Sequence, residues 1–420
     1  MDAVNRAALE ADLRTRVFGA AGGLHAPDQI GAEVELIPLT ADSCAPVPIQ
    51  AIEGPATLPL LRRLAARRGW AEVPSDHGVP KFRTRDGGWI SFEPGGQIEF
   101  SAPPFLSASA LLASLGAVVF PLQIAAREEG IVLWSVGADP HNPLERVPMQ
   151  LSGERYTRMA DYLATRGSAG ARMMRQTAAL QVNLDFGTDG LLRWRALNAA
   201  APYLVAIFAN SPVYAGVPSG HKSFRARNWR ELDRTRTGLL PCAGDAAGEY
   251  LEFALRAPLM LKRVPRSAEY APFGEWLAHG AVTQQEWWEH LSTLFPEVRP
   301  KGYLEVRSPD ALPPEWYAAP FALLGGMLYE PKSLRAAVDR LGSPDPALLH
   351  PAAQAGLSDP RIAAAARDLV EIGLAGAATL GDRFLTRADL ETAREFFFRY
   401  TLRGRSPADD APAAALCASA

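Results

Sequence analysis

Along this chain, short stretches in which apolar and polar residues alternate one for one are separated by longer stretches in which apolar residues recur every three to four positions. The first pattern sends successive side chains to opposite faces of a strand, and the second lays an apolar stripe along a helix. Residues 31–38 put Glu33 and Glu35 on one face and Val34 and Leu36 on the other. In 88–102, Ser91, Glu93, Gln97, Glu99 and Ser101 oppose Ile90, Phe92, Ile98 and Phe100. Within this second run, Pro94-Gly95 predicts a tight hairpin between its two strands, with Pro presetting φ at the first central position and Gly accepting positive φ at the second. Residues 178–186 carry Gln181, Asn183 and Asp185 on their polar face, and residues 303–308 carry Glu305 and Arg307.

The helical period predicts helices over 2–18, over 58–68 with a basic solvated face, and over 107–128, with an apolar strand at 131–136. A mostly apolar helix follows over 190–208, then a Pro- and Gly-rich loop over 210–220. Short amphipathic helices carry Trp276, Trp287 and Trp288, a helix apolar nearly all round covers 316–329, and three more helices fill 331–402. Gly167-Ser168-Ala169-Gly170 lacks the Lys-Ser/Thr ending of a phosphate loop and reads as a flexible turn. The predicted fold class is α+β, an antiparallel sheet with helices packed on its apolar side, in a single catalytic domain over 1–405 whose 315–402 part is helical. Residues 406–420 lack the large apolar side chains needed to order them.

Charge changes the picture. Pooled, the polar strand faces hold six acids (Glu33, Glu35, Glu93, Glu99, Asp185 and Glu305) and one base, Arg307, in a chain with 46 acidic and 43 basic residues. Any one strand is explained by a face shown to water. Five together are not, because a wet face mixes signs and like charges across a ladder repel. If the strands share a sheet, raised pKa values or bound cations must relieve the repulsion. Residues i and i+2 of a strand lie about 6.5 Å apart, within reach of adjacent cations. Oxygen ligands without His or Cys favour Mg²⁺ or Mn²⁺ over Zn²⁺.

Arg225, Arg227, Arg230, Arg234 and Arg236 fall within twelve residues. Alone they read as surface; between carboxylate strands and interleaved with Trp229 they are candidates to grip a carboxylate or polyphosphate. A net charge of −3 argues against a nucleic-acid partner. No apolar run approaches the roughly 20 residues of a membrane span and the N-terminus has no signal core, so a cytoplasmic protein without a membrane partner is expected. Cys44, Cys242 and Cys417, odd in number and scattered, read as reduced thiols.

Seven ordered blocks carry a family resemblance: Gly31-Ala32-Glu33-Val34-Glu35, the Glu93–Glu99 hairpin, Met173-Met174-Arg175-Gln176-Thr177 leading into Gln181-Val182-Asn183-Leu184-Asp185, Phe208-Ala209-Asn210-Ser211-Pro212, Ser223-Phe224-Arg225-Ala226-Arg227-Asn228-Trp229, Asp233-Arg234-Thr235-Arg236-Thr237-Gly238, and Tyr303-Leu304-Glu305-Val306-Arg307. Together they resemble the second glutamate–cysteine ligase family, which includes plant and many bacterial enzymes and the ligase of ergothioneine biosynthesis. The resemblance implies a glutamine-synthetase-like curved antiparallel sheet whose acidic concave face holds metals, nucleotide and amino acid. It implies ATP as co-substrate, Mg²⁺ or Mn²⁺ as cofactor, and glutamate and cysteine as small-molecule substrates joined through a γ-glutamyl phosphate, for glutathione or ergothioneine synthesis. By similarity Glu33, Glu35, Glu93, Glu99 and Glu305 are metal ligands, Arg307 contacts the transferring phosphate and Arg225 holds a substrate carboxylate. Arg227, Gln181 and Asn183 are likewise placed among the substrate- or nucleotide-binding residues. Ser308-Pro309-Asp310 stands where plant members continue with glycine, which leaves the amine acceptor and the regulation open. A metal-dependent hydrolase on the same carboxylates and a non-catalytic binding protein remain as rival classes.

Overall fold

In a computed structural model that describes residues 4–19, 27–262 and 270–410, the chain opens with α1 (Arg6–Asp12), a wider π-helical turn over Leu13–Val17, and the long strand β1 (Ile30–Thr40). Then come α2 (Thr57–Arg68), β2 (Ala71–Val73), β3 (Lys81–Arg83), β4 (Trp89–Phe92), β5 (Ile98–Ser101), α3 (Ala108–Glu128) and β6 (Ile131–Trp134). They are followed by α4 (Glu154–Ala164), α5 (Ala169–Gln176), β7 (Leu180–Leu184) and α6 (Gly190–Ile207). A small hairpin of β8 (Val213–Tyr214) and β9 (Val217–Pro218) stands where a plain loop is expected. Next are α7 (Phe224–Leu232), β10 (Thr237–Gly238), α8 (Ala246–Arg256), α9 (Phe273–Ala278), α10 (Gln284–Leu291), β11 (Phe295–Pro296), β12 (Val298–Pro300) and β13 (Leu304–Val306). The remainder is helical: α11 (Ala318–Tyr329), α12 (Pro331–Leu341), α13 (Leu349–Gln354), α14 (Pro360–Leu380) and α15 (Arg387–Arg399). That is four helices, not three, after residue 331.

All five polar-faced strands share one sheet, in the order β12-β13-β7-β1-β5-β4-β3-β2, with β6 paired to the far end of β1. Every pairing in it is antiparallel. The alternation read from the sequence sets the faces: Val34, Leu36, Ile90, Phe92, Ile98, Phe100, Val182, Leu184, Leu304 and Val306 are buried, and α3, α6 and α11 pack on the sheet. α11, buried over all but its last residue, crosses α14 closely because both carry glycine there; a Cβ on Gly326 would sit 2.0 Å from the Gly373 carbonyl oxygen.

The hairpin forms between β4 and β5, with one change in its turn. Gly96, not Gly95, takes the positive φ, at +93°, while the Gly96 amide donates to the Glu93 carbonyl and the Glu93 amide to that of Gln97. Gly95 is required for another reason: a Cβ there would lie 2.1 Å from the carbonyl oxygen of Arg175, so the turn is pressed against α5.

Four further expectations are corrected. α3 is long and apolar enough to cross a membrane, which the sequence reading denied, but Leu111, Leu115, Val118, Val119 and Leu122 are buried on one face against β6, α2 and α11. Only Gly167-Ser168 are a turn, since Ala169 and Gly170 already belong to α5. Residues 406–410 are ordered, Ser406 and Asp409 capping each other and Tyr400 donating to Asp410 at 2.5 Å; the rest of the expected tail lies outside the described residues. Cys242 is a free thiol as read, Cys44 is disulfide-bonded, and Cys417 lies outside the described residues.

Candidate active site

Register decides which polar side chains meet. Glu33 on β1 stands opposite Gln181 on β7 and Ser101 on β5, and Glu35 stands opposite Glu99. Asn183 on β7 faces Glu305 on β13, which in turn faces Arg299 on β12. The polar face opens on a cavity of about 500 Å³, within the range of small-molecule sites. Glu33, Glu35, Glu93, Glu99, Gln97 and Gln181 form its floor.

The floor carries few compensating groups. Gln181 Nε2 donates to Glu33 at 3.2 Å and to Glu35 at 3.4 Å, and the Ala179 amide donates to Glu35 at 2.8 Å. Ser91 and Ser101 donate to Glu99 at 3.3 and 3.0 Å. Burial and then the neighbouring carboxylates raise Glu93 to about 8 and Glu99 well above its usual range. Burial likewise raises Glu35 to about 7, against the pull of Arg225, and raises Glu33, next to the charge of Glu305. Among the described residues no three acidic, imidazole or thiol groups converge on one point. The donors nonetheless suit a hard divalent cation: all are carboxylate oxygens, they face one cavity, and a cation would offset both the burial and the mutual repulsion of their charged forms.

Glu305 is different. Its carboxylate is fully buried and accepts from Arg299 Nε at 2.7 Å, Arg299 Nη2 at 2.9 Å, Lys301 Nζ at 3.0 Å and Arg307 Nη1 at 2.8 Å. Burial would raise its pKa; Arg299, Arg307 and Lys301 overcome this and hold it well below the usual carboxylate range. Those three cations, rather than Glu305, line the cavity. Arg307 Nη1 also donates to Gln181 Oε1 at 2.7 Å, so one amide links the cationic wall to the acid floor.

The arginine cluster splits. Arg225, at the start of α7, is buried and lines the cavity, its Nη2 donating to the Arg307 carbonyl at 2.8 Å. The Trp229 ring lies 5.7 Å from the Arg225 guanidinium and 5.1 Å from that of Arg307. Arg227 does not reach the cavity; it pairs with Glu231 at 3.0 Å and lies over Phe224. Arg236 is fully buried, bonded to Asp233 at 2.8 Å, Thr293 O at 3.0 Å and Pro258 O at 2.7 Å, and holds loops together. Asn183 shares the polar face but does not line the cavity, its Nδ2 lying 3.5 Å from Glu33, and Asp185 accepts from the Gln29 amide, also outside it.

Sequence reasoning missed Arg299, Lys301 and Arg155. The first two had a signal: they precede Glu305 by six and four residues on the neighbouring strand and turn of one hairpin. Arg155 comes from α4, whose side chains reach the cavity only through tertiary packing.

The model of glutamate–cysteine ligase family 2 matches residues 29–410. The chain belongs to that family. Family 2 is a family of carbon–nitrogen ligases, and the chain is an enzyme of that class. It is similar to EgtA of Mycolicibacterium smegmatis, named a glutamate–cysteine ligase: 36% identical over 343 residues, covering 77% of each chain. It is 32% identical over 328 residues to the chloroplastic glutamate–cysteine ligase B of Oryza sativa subsp. japonica, covering 74% of this chain and 64% of that one. A glutamate–cysteine ligase from Francisella tularensis, solved in complex with AMP, superimposes with a TM-score of 0.46 at 12% identity, covering 91% of this chain and 83% of the other, a likeness too remote to carry an argument.

Proposed function

We propose that this protein is an ATP-dependent glutamate–cysteine ligase that forms γ-glutamylcysteine and releases ADP and phosphate. The observation that carries the reading is the opposition, within one cavity, of a carboxylate floor and a wall of cations braced on the buried Glu305. A metal-dependent hydrolase needs the floor alone, and a binding protein needs neither in this arrangement.

The γ-phosphoryl group of ATP passes to the γ-carboxylate of glutamate; the amine of cysteine then attacks the acyl carbon, loses a proton, and phosphate leaves. Glu33, Glu35, Glu93 and Glu99 would hold Mg²⁺ or Mn²⁺, which when bound offsets charge on the phosphate oxygens. Arg307, its guanidinium fixed by Glu305 and Gln181, presents its remaining donors to the phosphoryl group in transfer. Arg225 holds the α-carboxylate of glutamate. Glu305, a metal ligand by resemblance, would join the set only by exchanging one of its three cations. A cytoplasmic setting would supply the ATP that the reaction consumes, and the product would feed glutathione or ergothioneine synthesis.

The test is ADP release by the purified protein with ATP, Mg²⁺ and glutamate against a panel of amines. Release that requires both glutamate and an amine, with cysteine active, is expected; release without an amino acid would make the protein a nucleotide hydrolase, and release only with other amines would make it a different γ-glutamyl ligase.

A further inference from the structure

Asp310, just past β13, is buried outside the cavity, and no step of the chemistry above uses it. Its carboxylate gathers two distant segments of the chain. Oδ2 accepts from the Asn210 amide at 2.8 Å and from Ser211 Oγ at 2.7 Å, and Oδ1 accepts from Ser223 Oγ at 2.9 Å. The same two hydroxyls cap α7: Ser211 Oγ accepts from the Arg225 amide at 3.2 Å and Ser223 Oγ from the Ala226 amide at 3.0 Å. Amides in the first turn of a helix lack partners within it, so the serines fix where α7 begins and Asp310 fixes the serines. A Cβ on Gly137 would fall 2.3 Å from Asp310 Cγ, which leaves the carboxylate no slack on that side. Asp310 Oδ1 also lies 3.8 Å from Arg225 Nη1, and the guanidinium is otherwise held by the Arg307 carbonyl, 2.8 Å from Nη2, and the Ser308 carbonyl, 3.5 Å from Nη1. Burial lowers the Arg225 pKa, and Asp310 and then Glu35 are the acids that offset this most. Two acids thus act on one buried guanidinium, Asp310 from outside the cavity and Glu35 from its floor.

We propose that Asp310 is the positioning residue of Arg225: it anchors the first turn of α7 through Ser211 and Ser223 and holds the guanidinium back from Glu35, so that the fork stays open to the α-carboxylate of glutamate. The proposal rests on the reading of Arg225 as the grip on that carboxylate. An arginine beside a carboxylate floor pairs with the floor unless another anion restrains it, and a guanidinium paired with Glu35 has fewer donors left for a substrate. Asp310 supplies the restraint without competing for the substrate, because its oxygens are spent on Asn210, Ser211 and Ser223 and it does not line the cavity. Loss of its charge lets Arg225 lean onto the floor, which weakens the hold on glutamate and leaves the nucleotide untouched.

The experiment is a double-mutant cycle on ADP release, read as the KM for glutamate at saturating ATP and cysteine and as the KM for ATP at saturating glutamate. Asp310→Asn keeps the scaffold, since its carbonyl oxygen can still accept from Asn210 and Ser211 while its side-chain amide donates to Ser223 Oγ, and it removes the charge that faces Arg225. It should raise the KM for glutamate about tenfold and that for ATP by less than about twofold. In an Arg225→Ala background the same change should move the KM for glutamate by less than about twofold, because no guanidinium is left to place. Ser211→Ala takes away the bond to the Arg225 amide and leaves the charge. It should raise the KM for glutamate about threefold in the parent and not in the Arg225→Ala background, and it carries the test if Asp310→Asn does not fold. An unmoved KM for glutamate in a folded variant, the same increase in both backgrounds, or an equal rise in the KM for ATP would overturn the assignment, the last two by making Asp310 a support of the fold at large. If no amine drives ADP release, the proposed function fails, and the positioning is read from glutamate binding by calorimetry instead. Binding that Asp310→Asn weakens supports it, and no binding, or binding unmoved by that change, overturns it.

Discussion

Two groups of glutamates on one sheet show opposite behaviour. Glu33, Glu35, Glu93 and Glu99 sit on the floor formed by β1, β5 and the hairpin, repel one another, and hold their protons above the usual carboxylate range. Glu305, two strands from β1, is buried to the same degree or more, yet its proton is driven off by Arg299, Lys301 and Arg307. Burial pushes all five carboxyls toward the protonated form; what separates the two groups is the sign of the nearest neighbours, which overcomes burial only at Glu305. The floor stores unfavourable charge that a cation can discharge, whereas Glu305 is already neutralised and serves as the brace of a cationic wall.

The strongest way to break this contrast is to neutralise one member of each group. Glu33→Gln should abolish ADP release while the melting temperature of the metal-free protein stays level or rises, because a repelling charge has gone. Glu305→Gln should instead lower stability by about 3 kcal/mol, since it leaves buried cations without their anion. A differential-scanning measurement that gave the two variants the same sign of shift would remove the distinction. Next in size is Arg307: replacement by Ala should lower kcat by about 10²–10³-fold with a smaller rise in the KM for ATP, and Lys should rescue poorly for want of the planar fork. A change confined to KM would reduce Arg307 to a ground-state contact.

The pH dependence sharpens the same point. A carboxyl whose pKa is higher folded than unfolded binds its proton more tightly in the folded state. The stability it lends at low pH is therefore lost as pH climbs from about 4.5 through the folded values of about 7 for Glu35 and about 8 for Glu93. In EDTA the melting temperature should fall between pH 6 and 8.5, Glu93→Gln should flatten the fall, and Mg²⁺ should reverse it. Glu305, with its pKa depressed, contributes in the other direction, and its stabilisation is lost only as pH drops well below 4.5. A melting temperature that rises across pH 6 to 8.5 without metal would contradict the floor's assignment. The smallest effect belongs to Arg227→Ala, which should change stability by less than about 0.5 kcal/mol and leave kcat and KM untouched, because its partner Glu231 is exposed and neither side chain lines the cavity. A fall in kcat/KM would return Arg227 to the site.

Period-two alternation made the floor legible before any coordinates: strand periodicity fixes the face of Glu33, Glu35, Glu93 and Glu99, and antiparallel pairing then brings the four together. Arg225 was visible through its motif, but its neighbours Arg227 and Arg236 were not separable from it in sequence, since on one helix and its following turn a difference of two residues sends a side chain to solvent and one of eleven sends it into a loop core. The wall was only half legible, because Arg299 and Lys301 matter through their pairing with Glu305 across β12 and β13, and a strand of three residues gives too short a pattern to reveal register. The cluster of Met149, Met159, Met173, Met174 and Met260 left no periodic trace, being assembled from α4, α5, the segment before α4 and the loop after α8 by packing alone. The hidden apolar length of α3 and the order of residues 406–410 have a similar origin: the first depends on what covers the helix, the second on hydrogen bonds from Tyr400, Arg399 and Arg405 to Asp410.

The docking of the hairpin turn has a kinetic consequence. A hairpin tip ordinarily exchanges its amide hydrogens with solvent within moments, but here the Gly95 amide donates to Gln97 Oε1 at 3.0 Å, Gln97 Nε2 to the Thr177 carbonyl at 2.9 Å, and Gln150 Nε2 to the Gly95 carbonyl at 2.8 Å. Deuterium can reach the Gly95 and Gly96 amides only when the tip lifts from α5, and with no room for a Cβ between them the two cannot part by sliding. The tip and α5 should therefore take up label as a single cooperative unit, slowly and at a common rate, while the amides of the outer β2–β3 corner exchange far ahead of them.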